Sequence, residues 1–500
     1  MTCSGLFSGM TRSLSTLTWD NSFARLPEAF AERVGPTPIS EPWLVAFNAD
    51  VAALLELDPA ARDDPDFLAW IAGALTLPGT APLAAIYAGH QFGVWVPQLG
   101  DGRAILLGEV TTSTHQRWDV QLKGAGMTRF SRMGDGRAVL RSTIREYLGG
   151  EAMHGLGIPT TRALAIAASD MPVYRERAEG AAVLVRVAPT HVRFGSFQLF
   201  ASRQQFDEVR LLADHVIEAH FPECLALPAQ QRYAAWFREI VDRTARLMAQ
   251  WTAVGFAHGV MNTDNMSILG VTLDYGPYGW LERYDPAFIC NHSDPSGRYA
   301  FDQQPRIGLW NCARLGEALY PLVAEEPARA ALESYRTTFE TTVDALVRAK
   351  LGIISHRDGD AELLADLFAV LHRTGADYTR FFRRLGDIEL GGAEALTALH
   401  EEVDDPALLT AWIDSWRARV ALEPTTAAAR RAGMHAVNPK YVLRNWIAQE
   451  VIEAAEARDT APLERVMTLL RAPFDEHPGM ERYEAEPPEG MVEVAVSCSS

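Results

Sequence analysis

Cysteine is scarce in this chain. Its five cysteines, Cys3, Cys224, Cys290, Cys312 and Cys498, are scattered without Cys-x-x-Cys spacing, so neither a zinc site nor a disulfide scaffold is indicated. An apolar run of about 18 residues is also missing, so no membrane-spanning helix is expected. Positive charge is in deficit: 46 Lys and Arg against 64 Asp and Glu give a formal charge of −18. That balance argues against general nucleic-acid or anionic-membrane binding, since both need a basic field to offset phosphate. The stretch Met1–Leu17 is rich in Ser and Thr but has no apolar h-region, so it reads as a disordered leader and the cytoplasm as the expected compartment.

What is present is an ordinary globular composition, 48% hydrophobic and 22% charged over 500 residues, with room for roughly two to four domains. Against the acidic average, residues 117–150 concentrate seven basic side chains, Arg117, Lys123, Arg129, Arg132, Arg137, Arg141 and Arg145, with three acidic ones. A local basic pocket in an acidic protein suits a small phosphorylated ligand, although a solvated helix face has a similar pattern. Two short echoes flank Lys123: Leu99-Gly-Asp-Gly-Arg-Ala104 and Met133-Gly-Asp-Gly-Arg-Ala138. Gly-x-Gly turns expose backbone N–H groups that can cradle phosphate, and the neighbouring Arg supplies charge.

The periodicity predicts strands at Ala104–Val110, Trp118–Lys123 and Ala182–Ala188, a helix near 139–156, and an amphipathic helix near 234–251 that feeds Gly255-Phe-Ala-His258. Beyond 305 helices are expected near 328–350, 360–373, 406–421, 439–456 and 461–471. Two strands, the second ending in Lys123, followed by a helix is the layout of a protein-kinase N-lobe, so the predicted fold is α+β, a bilobal protein-kinase-like architecture with an N-terminal extension and a large helical C-terminal region. The expected divisions are an extension over 1–80, a nucleotide-binding N-lobe over 81–200, the catalytic part of a C-lobe over 201–305, helices over 306–472 and an irregular tail over 473–500.

Asp264-Asn265, then Ser267-Ile-Leu and Val271-Thr-Leu around Gly270, then Asp274-Tyr-Gly276 read as a small hairpin with oxygen-bearing side chains at its ends. Such a cluster suits Mg²⁺ or Mn²⁺, hard cations that share their shell with nucleotide phosphates. Asp274-Tyr275-Gly276 looks like the kinase Asp-Phe-Gly, and His258 to Asn265 overlays the kinase catalytic loop. One position departs from that pattern. Val260 stands where the catalytic Asp belongs, and Asp264 is the only carboxylate in the loop.

Together these segments resemble the selenoprotein O family of kinase-fold proteins, on Tyr87-Ala-Gly-His-Gln-Phe-Gly93, Gln98-Leu-Gly-Asp-Gly-Arg103, Gln121-Leu-Lys-Gly-Ala-Gly126, Ser131-Arg-Met-Gly-Asp-Gly-Arg137, His258-Gly-Val-Met-Asn-Thr-Asp-Asn-Met266 and Leu273-Asp-Tyr-Gly-Pro-Tyr-Gly-Trp280. The resemblance implies AMP transfer from an inverted ATP to hydroxyls of protein substrates. It implies that Lys123, Arg186 and Arg193 bind the phosphates, that Gly100, Gly102, Arg103, Asp135 and Gly136 are further nucleotide contacts, and that Glu146 pairs with Lys123. Helical geometry alone leaves Glu151 as a rival partner. In the same scheme Asn265 and Asp274 bind the metal and Asp264 is the general base. Cys498 stands where some members carry selenocysteine, so a thiol switch with Cys290 stays open.

Three other readings share these residues. A kinase needs the same Lys, Asn and Asp, UMP transfer from UTP fits because nothing in the sequence reads the base, and a non-catalytic ATP-dependent scaffold would account for Val260.

Overall fold

The computed structural model describes residues 11–488. Nine strands build one antiparallel sheet: β1 (Ala31–Arg33), β2 (Trp43–Phe47), β3 (Leu83–Gln91), β4 (Val94–Gly100), β5 (Ala104–Thr111), β6 (Arg117–Lys123), β7 (Ala138–Val139), β8 (Arg162–Tyr174) and β9 (Ala178–Ala188). Their order is β1-β3-β5-β6-β9-β8-β2, with β4 on β3 and β7 on β9. A mixed α/β chain results, one large sheet followed by many helices. No helix among the described residues is long and apolar enough to cross a membrane.

Period-two alternation decides which side chains reach which face of the sheet. Val120 and Leu122 of β6 and Val183, Val185 and Val187 of β9 share a core with Phe47, Val51, Phe67 and Trp70 of the N-terminal segment. Gln121 therefore points to the other face, where Arg186 of β9 lies directly across the ladder from it. On that face the helix Leu140–Gly155 packs through Leu140, Ile144, Tyr147 and Leu148, and it shares this second core with the C-terminal helices Asn445–Glu456 and Ala461–Arg471. A third core unites the helices between Glu325 and Val437.

The helix Ala229–Val254 buries Trp236, Phe237, Ile240, Val241, Met248 and Trp251, and it ends on Gly255 at φ 70°. A left-handed cap favours glycine, because a Cβ there is crowded. The chain then enters a two-residue strand, with Phe256 opposite Trp280 and Ala257 opposite Gly279. This pairing pins both ends of the segment from His258 to Tyr278.

Several expectations are corrected. The Ser267–Leu273 segment is no hairpin. Ser267 bridges to Arg193 and Thr272 bridges to Thr160, so each arm pairs with the main body and Gly270 merely closes a turn onto Ser267. The helix expected from 439 starts at Asn445, because the N–H groups of Lys440 and Tyr441 bond to Pro473 O and Arg444 is drawn into ion pairs with Asp377 and Glu282. Strand β8 was not among the expected elements, and the helices Tyr378–Leu385, Ile388–His400 and Ala427–Val437 were not delimited within the helical region expected over 306–472. The region before residue 80, expected as an N-terminal extension, donates β1 and β2 to the sheet.

The junction of the sheet-side helix with the helix Ala461–Arg471 is tight: a Cβ on Gly155 would lie 1.8 Å from the carbonyl of Leu470. Gly155→Ala must push the two helices apart, so we expect a loss of about 1–3 kcal/mol, read as a lowered thermal midpoint. Unchanged melting would show that the contact is not rigid.

Candidate active site

The sheet face carrying Gln121 and Arg186, the glycine turns and the 258–278 segment enclose a cleft of about 510 Å³. Gly100, Gly102, Arg103, Lys123, Asp135, Gly136, Arg186, Arg193, Asp264, Asn265 and Asp274 all line it. Residues spread over 175 positions thus meet in one place. Glu146 stands behind Lys123 and does not line the cleft. Cys290 is buried, with its Sγ 3.5 Å from the carbonyl of Ala257, and its suggested partner Cys498 lies outside the described residues.

Charge dominates the floor of the cleft. Lys123 Nζ contacts Glu146 Oε2, Arg186 Nη2 lies 2.7 Å from both Glu146 Oε1 and Asp274 Oδ1, and Arg193 Nη1 lies 2.7 Å from Asp274 Oδ2. The rival Glu151 is taken by Arg162, at 2.5 and 2.8 Å in a bidentate pair. Burial would raise the Asp274 carboxyl, but Arg193, Arg186 and Lys123 outweigh it and hold the group well below the usual carboxylate range. Burial acts the other way on Lys123 and brings its ammonium down to about 8. Three cations face two carboxylates here, and Arg103 makes no ion pair among the described residues. The surplus is positive, which suits an anionic ligand.

Arg193 is held from several sides. Its Nη1 donates to Asp264 O at 2.9 Å and its Nε to His191 O at 3.3 Å, while its guanidinium stacks 4.5 Å from the Tyr87 ring centroid. His191 in turn donates its backbone N–H to Asp119 at 2.8 Å. Asp274 adopts φ 60°, a left-handed conformation that Asp tolerates better than most residues. His258, buried and pushed below its usual range by desolvation, bonds through Nε2 to Leu273 O at 2.9 Å. It thereby sets the residue that precedes Asp274.

The two expected metal ligands do converge, with Asn265 Nδ2 3.3 Å from Asp274 Oδ2. Asp264 is buried beside them, and desolvation pushes its carboxyl up to about 6. Val260 also lines the cleft but offers no polar atom.

Several participants escaped the reading of the sequence. The motif Tyr87–Gly93 was noticed, yet its task is visible only here: His90 N donates to Thr263 Oγ1 at 2.8 Å, Phe92 N to Asn262 Oδ1 at 3.0 Å, and Gln91 Nε2 to Asp264 Oδ2 at 3.2 Å. A Cβ on Gly89 would lie 2.7 Å from Asp264 Oδ1, so only glycine lets β3 approach this closely. Arg175, from the β8–β9 turn, forms a bidentate pair with Asp135 at 2.8 and 3.0 Å. Its only sequence signal was a charge next to a turn.

Over residues 13–471 the sequence matches the family described as Protein adenylyltransferase SelO. The chain belongs to the SelO family. It is 55% identical over 489 residues to the Protein nucleotidyltransferase YdiU of Myxococcus xanthus, covering 98% of this chain and 100% of that protein. Proteins of the same description from Thioalkalivibrio sulfidiphilus and Azotobacter vinelandii are 54% and 50% identical over 97% and 98% of this chain, and over 99% and 100% of their own lengths. This SelO-family chain is an enzyme of the nucleotidyltransferase class, and the cleft is the place where its geometry concentrates reactive groups.

Glu146 is the carboxylate shared by Lys123 and Arg186, so Glu146→Gln should leave a buried and a half-buried cation undercompensated. Breaking a buried pair costs about 3–5 kcal/mol, and we expect both a lower melting temperature and weaker nucleotide binding by calorimetric titration. Glu151→Gln should lower stability alone. Equal nucleotide affinity in Glu146→Gln and wild type would show that this carboxylate does not set the charge of the cleft.

Proposed function

We propose that the chain transfers AMP from ATP to hydroxyl side chains of proteins, with the nucleotide inverted in a kinase-like cleft. The observation that carries this reading is the placement of one deeply buried carboxylate, Asp264, next to the Arg186–Arg193–Lys123 cluster while Val260 occupies the position of a kinase base. A kinase presents the terminal phosphate to its acceptor. An adenylyltransferase exposes the α-phosphate and buries the β and γ groups, which calls for extra cations beyond a single lysine. Arg186 and Arg193 supply them.

In this scheme Lys123, Arg186 and Arg193 hold the phosphates, and Glu146 fixes Lys123. The turns at Gly100, Gly102 and Gly136 let the backbone approach the nucleotide, with Arg103 and Asp135 beside them. A Cβ on Gly136 would lie 2.2 Å from the carbonyl of Gly126, so that turn has no room for a larger residue. Asp264 accepts the proton of the acceptor Ser, Thr or Tyr. The hydroxyl oxygen forms a bond to the α-phosphorus, the bond from that phosphorus to the bridging oxygen breaks, and diphosphate leaves. Fixed cations stabilise the charge that develops on the phosphates.

The donor set fits a hard divalent cation. Asn265 Nδ2 donates to the ionised Asp274 carboxylate at 3.3 Å, which places the amide whose Oδ1 would ligate beside that carboxylate, and no group of three His, Cys, Asp or Glu side chains able to hold a metal occurs among the described residues. Phosphate oxygens and water would complete the shell, as is usual for Mg²⁺ and Mn²⁺. When bound at Asn265 and Asp274, the cation would neutralise phosphate charge.

ATP labelled at the α- or at the γ-phosphate separates the readings. Retention of the α-label on protein is expected, and retention of the γ-label would replace this proposal with phosphorylation. General-base help is worth roughly 10²–10⁴-fold, so Asp264→Ala should lower transfer by about that factor while ATP still binds.

A further inference from the structure

Asp264 has two carboxylate oxygens, and their surroundings differ. Oδ1 is buried with no hydrogen-bond donor among the described residues and faces Gly89, where a Cβ would lie 2.7 Å away. Nothing larger than the glycine backbone stands there, and nothing larger could. Oδ2 has one donor, the side-chain amide of Gln91 at 3.2 Å. Gln91 and Asp264 both line the cleft.

The main chain that carries Gln91 is unusually constrained. Gln91 closes β3 and pairs with Val94 across a two-residue turn, whose central residues Phe92 and Gly93 have φ 50° and 82°. That is the sign pattern of a type I′ turn, which favours Asn-Gly and is costly for a bulky first residue. The strain is held by the loop that bears Asp264. Phe92 N–H faces Asn262 Oδ1 and Tyr299 OH, each at 3.0 Å, Tyr299 OH donates to Asn262 Oδ1 at 2.7 Å, and the Phe92 and Tyr299 rings lie 5.2 Å apart. A Cβ on Gly93 would lie 3.0 Å from the Arg298 guanidinium carbon. The turn cannot shift without moving the loop.

We propose that Gln91 is a positioning residue for the transfer reaction: its amide fixes the Asp264 carboxylate so that Oδ2 is the oxygen that takes the acceptor proton. The assignment rests on Asp264 being the base, as proposed above. With Oδ1 sealed against Gly89, the acceptor hydroxyl must approach Oδ2, beside the Gln91 amide. The end of β3 then forms one wall of the acceptor subsite. An amide donor suits this task because it holds one rotamer of the carboxylate without adding a charge that would compete with the phosphate cations.

The test measures α-label transfer from ATP, with casein and the chain's own hydroxyls as acceptors, in Gln91→Ala, Gln91→Met and each of these combined with Asp264→Ala. Loss of positioning for a reacting group costs roughly 10- to 100-fold, so both single variants should lose about that much kcat with the KM for ATP and the melting temperature unchanged. Gln91→Met keeps the volume and removes the amide; full recovery of kcat in Gln91→Met would mean that packing alone matters and would overturn the assignment. In the Asp264→Ala background the Gln91 substitutions should cost nothing further, whereas a multiplicative loss would place Gln91 outside the action of Asp264. If Asp264→Ala alone keeps wild-type transfer, the base assignment fails first. If it is impaired while Gln91→Ala is fully active, only the present inference fails.

Discussion

Asp274 is the charge around which the rest of the cleft is organised. It is half-buried, it sits at a left-handed φ of 60°, and it is gripped by Arg186 from the sheet and Arg193 from the segment after the sheet. Arg186 shares Glu146 with Lys123, so the helix Leu140–Gly155, strands β6 and β9 and the 258–278 segment are all tied into one network. Buried charges of this kind are expensive to leave unmatched. No member can leave without stranding another. The same accounting leaves the cleft positive inside a chain of formal charge −18.

A second constraint is steric. The strand end Gly89–Gly93 and the loop Asn262–Asn265 approach so closely that glycine is required at 89, and a Cβ on Gly195 would lie 2.1 Å from the carbonyl of Ala88. Close approach lets backbone N–H groups of His90 and Phe92 meet side chains of Thr263 and Asn262. The loop with Asp264 is therefore positioned by the sheet, not by a hairpin of its own. Its other anchors, the Phe256–Trp280 pairing and the bond from His258 to Leu273 O, hold the two ends in register.

Much of this was legible along the chain. β5, β6 and β9 read as strands because they are short runs rich in apolar residues that the fold buries on both faces, and the long helix Ala229–Val254 repeats large apolar residues at helical spacing. Lys123 and Glu146 were paired by family position, and the structure joins them while giving Glu151 to Arg162. The hairpin around Gly270 failed as a reading because alternation says only that a segment is extended. Which strand it pairs with is set by distant partners, here Arg193 and Thr160. The helix starting at Asn445 was misjudged for a similar reason. A proline after Asn438 permits a first turn, but the backbone groups that follow were claimed by Pro473.

By itself, the sequence determined the inventory: an ordinary globular composition, acidic overall charge, glycine turns around a lysine, and a His258–Asn265 loop whose one carboxylate is Asp264, with valine at 260. These are local properties, carried by residue type and spacing. Only the tertiary structure decided that Arg186 and Arg193 converge on Asp274, that Asp135 meets Arg175, and that Gln91 rather than any nearer residue touches Asp264. Those contacts join residues up to 173 positions apart, and no spacing rule reaches across such a distance; they exist because sheet register, buried charge and close glycine contacts leave the chain no other arrangement.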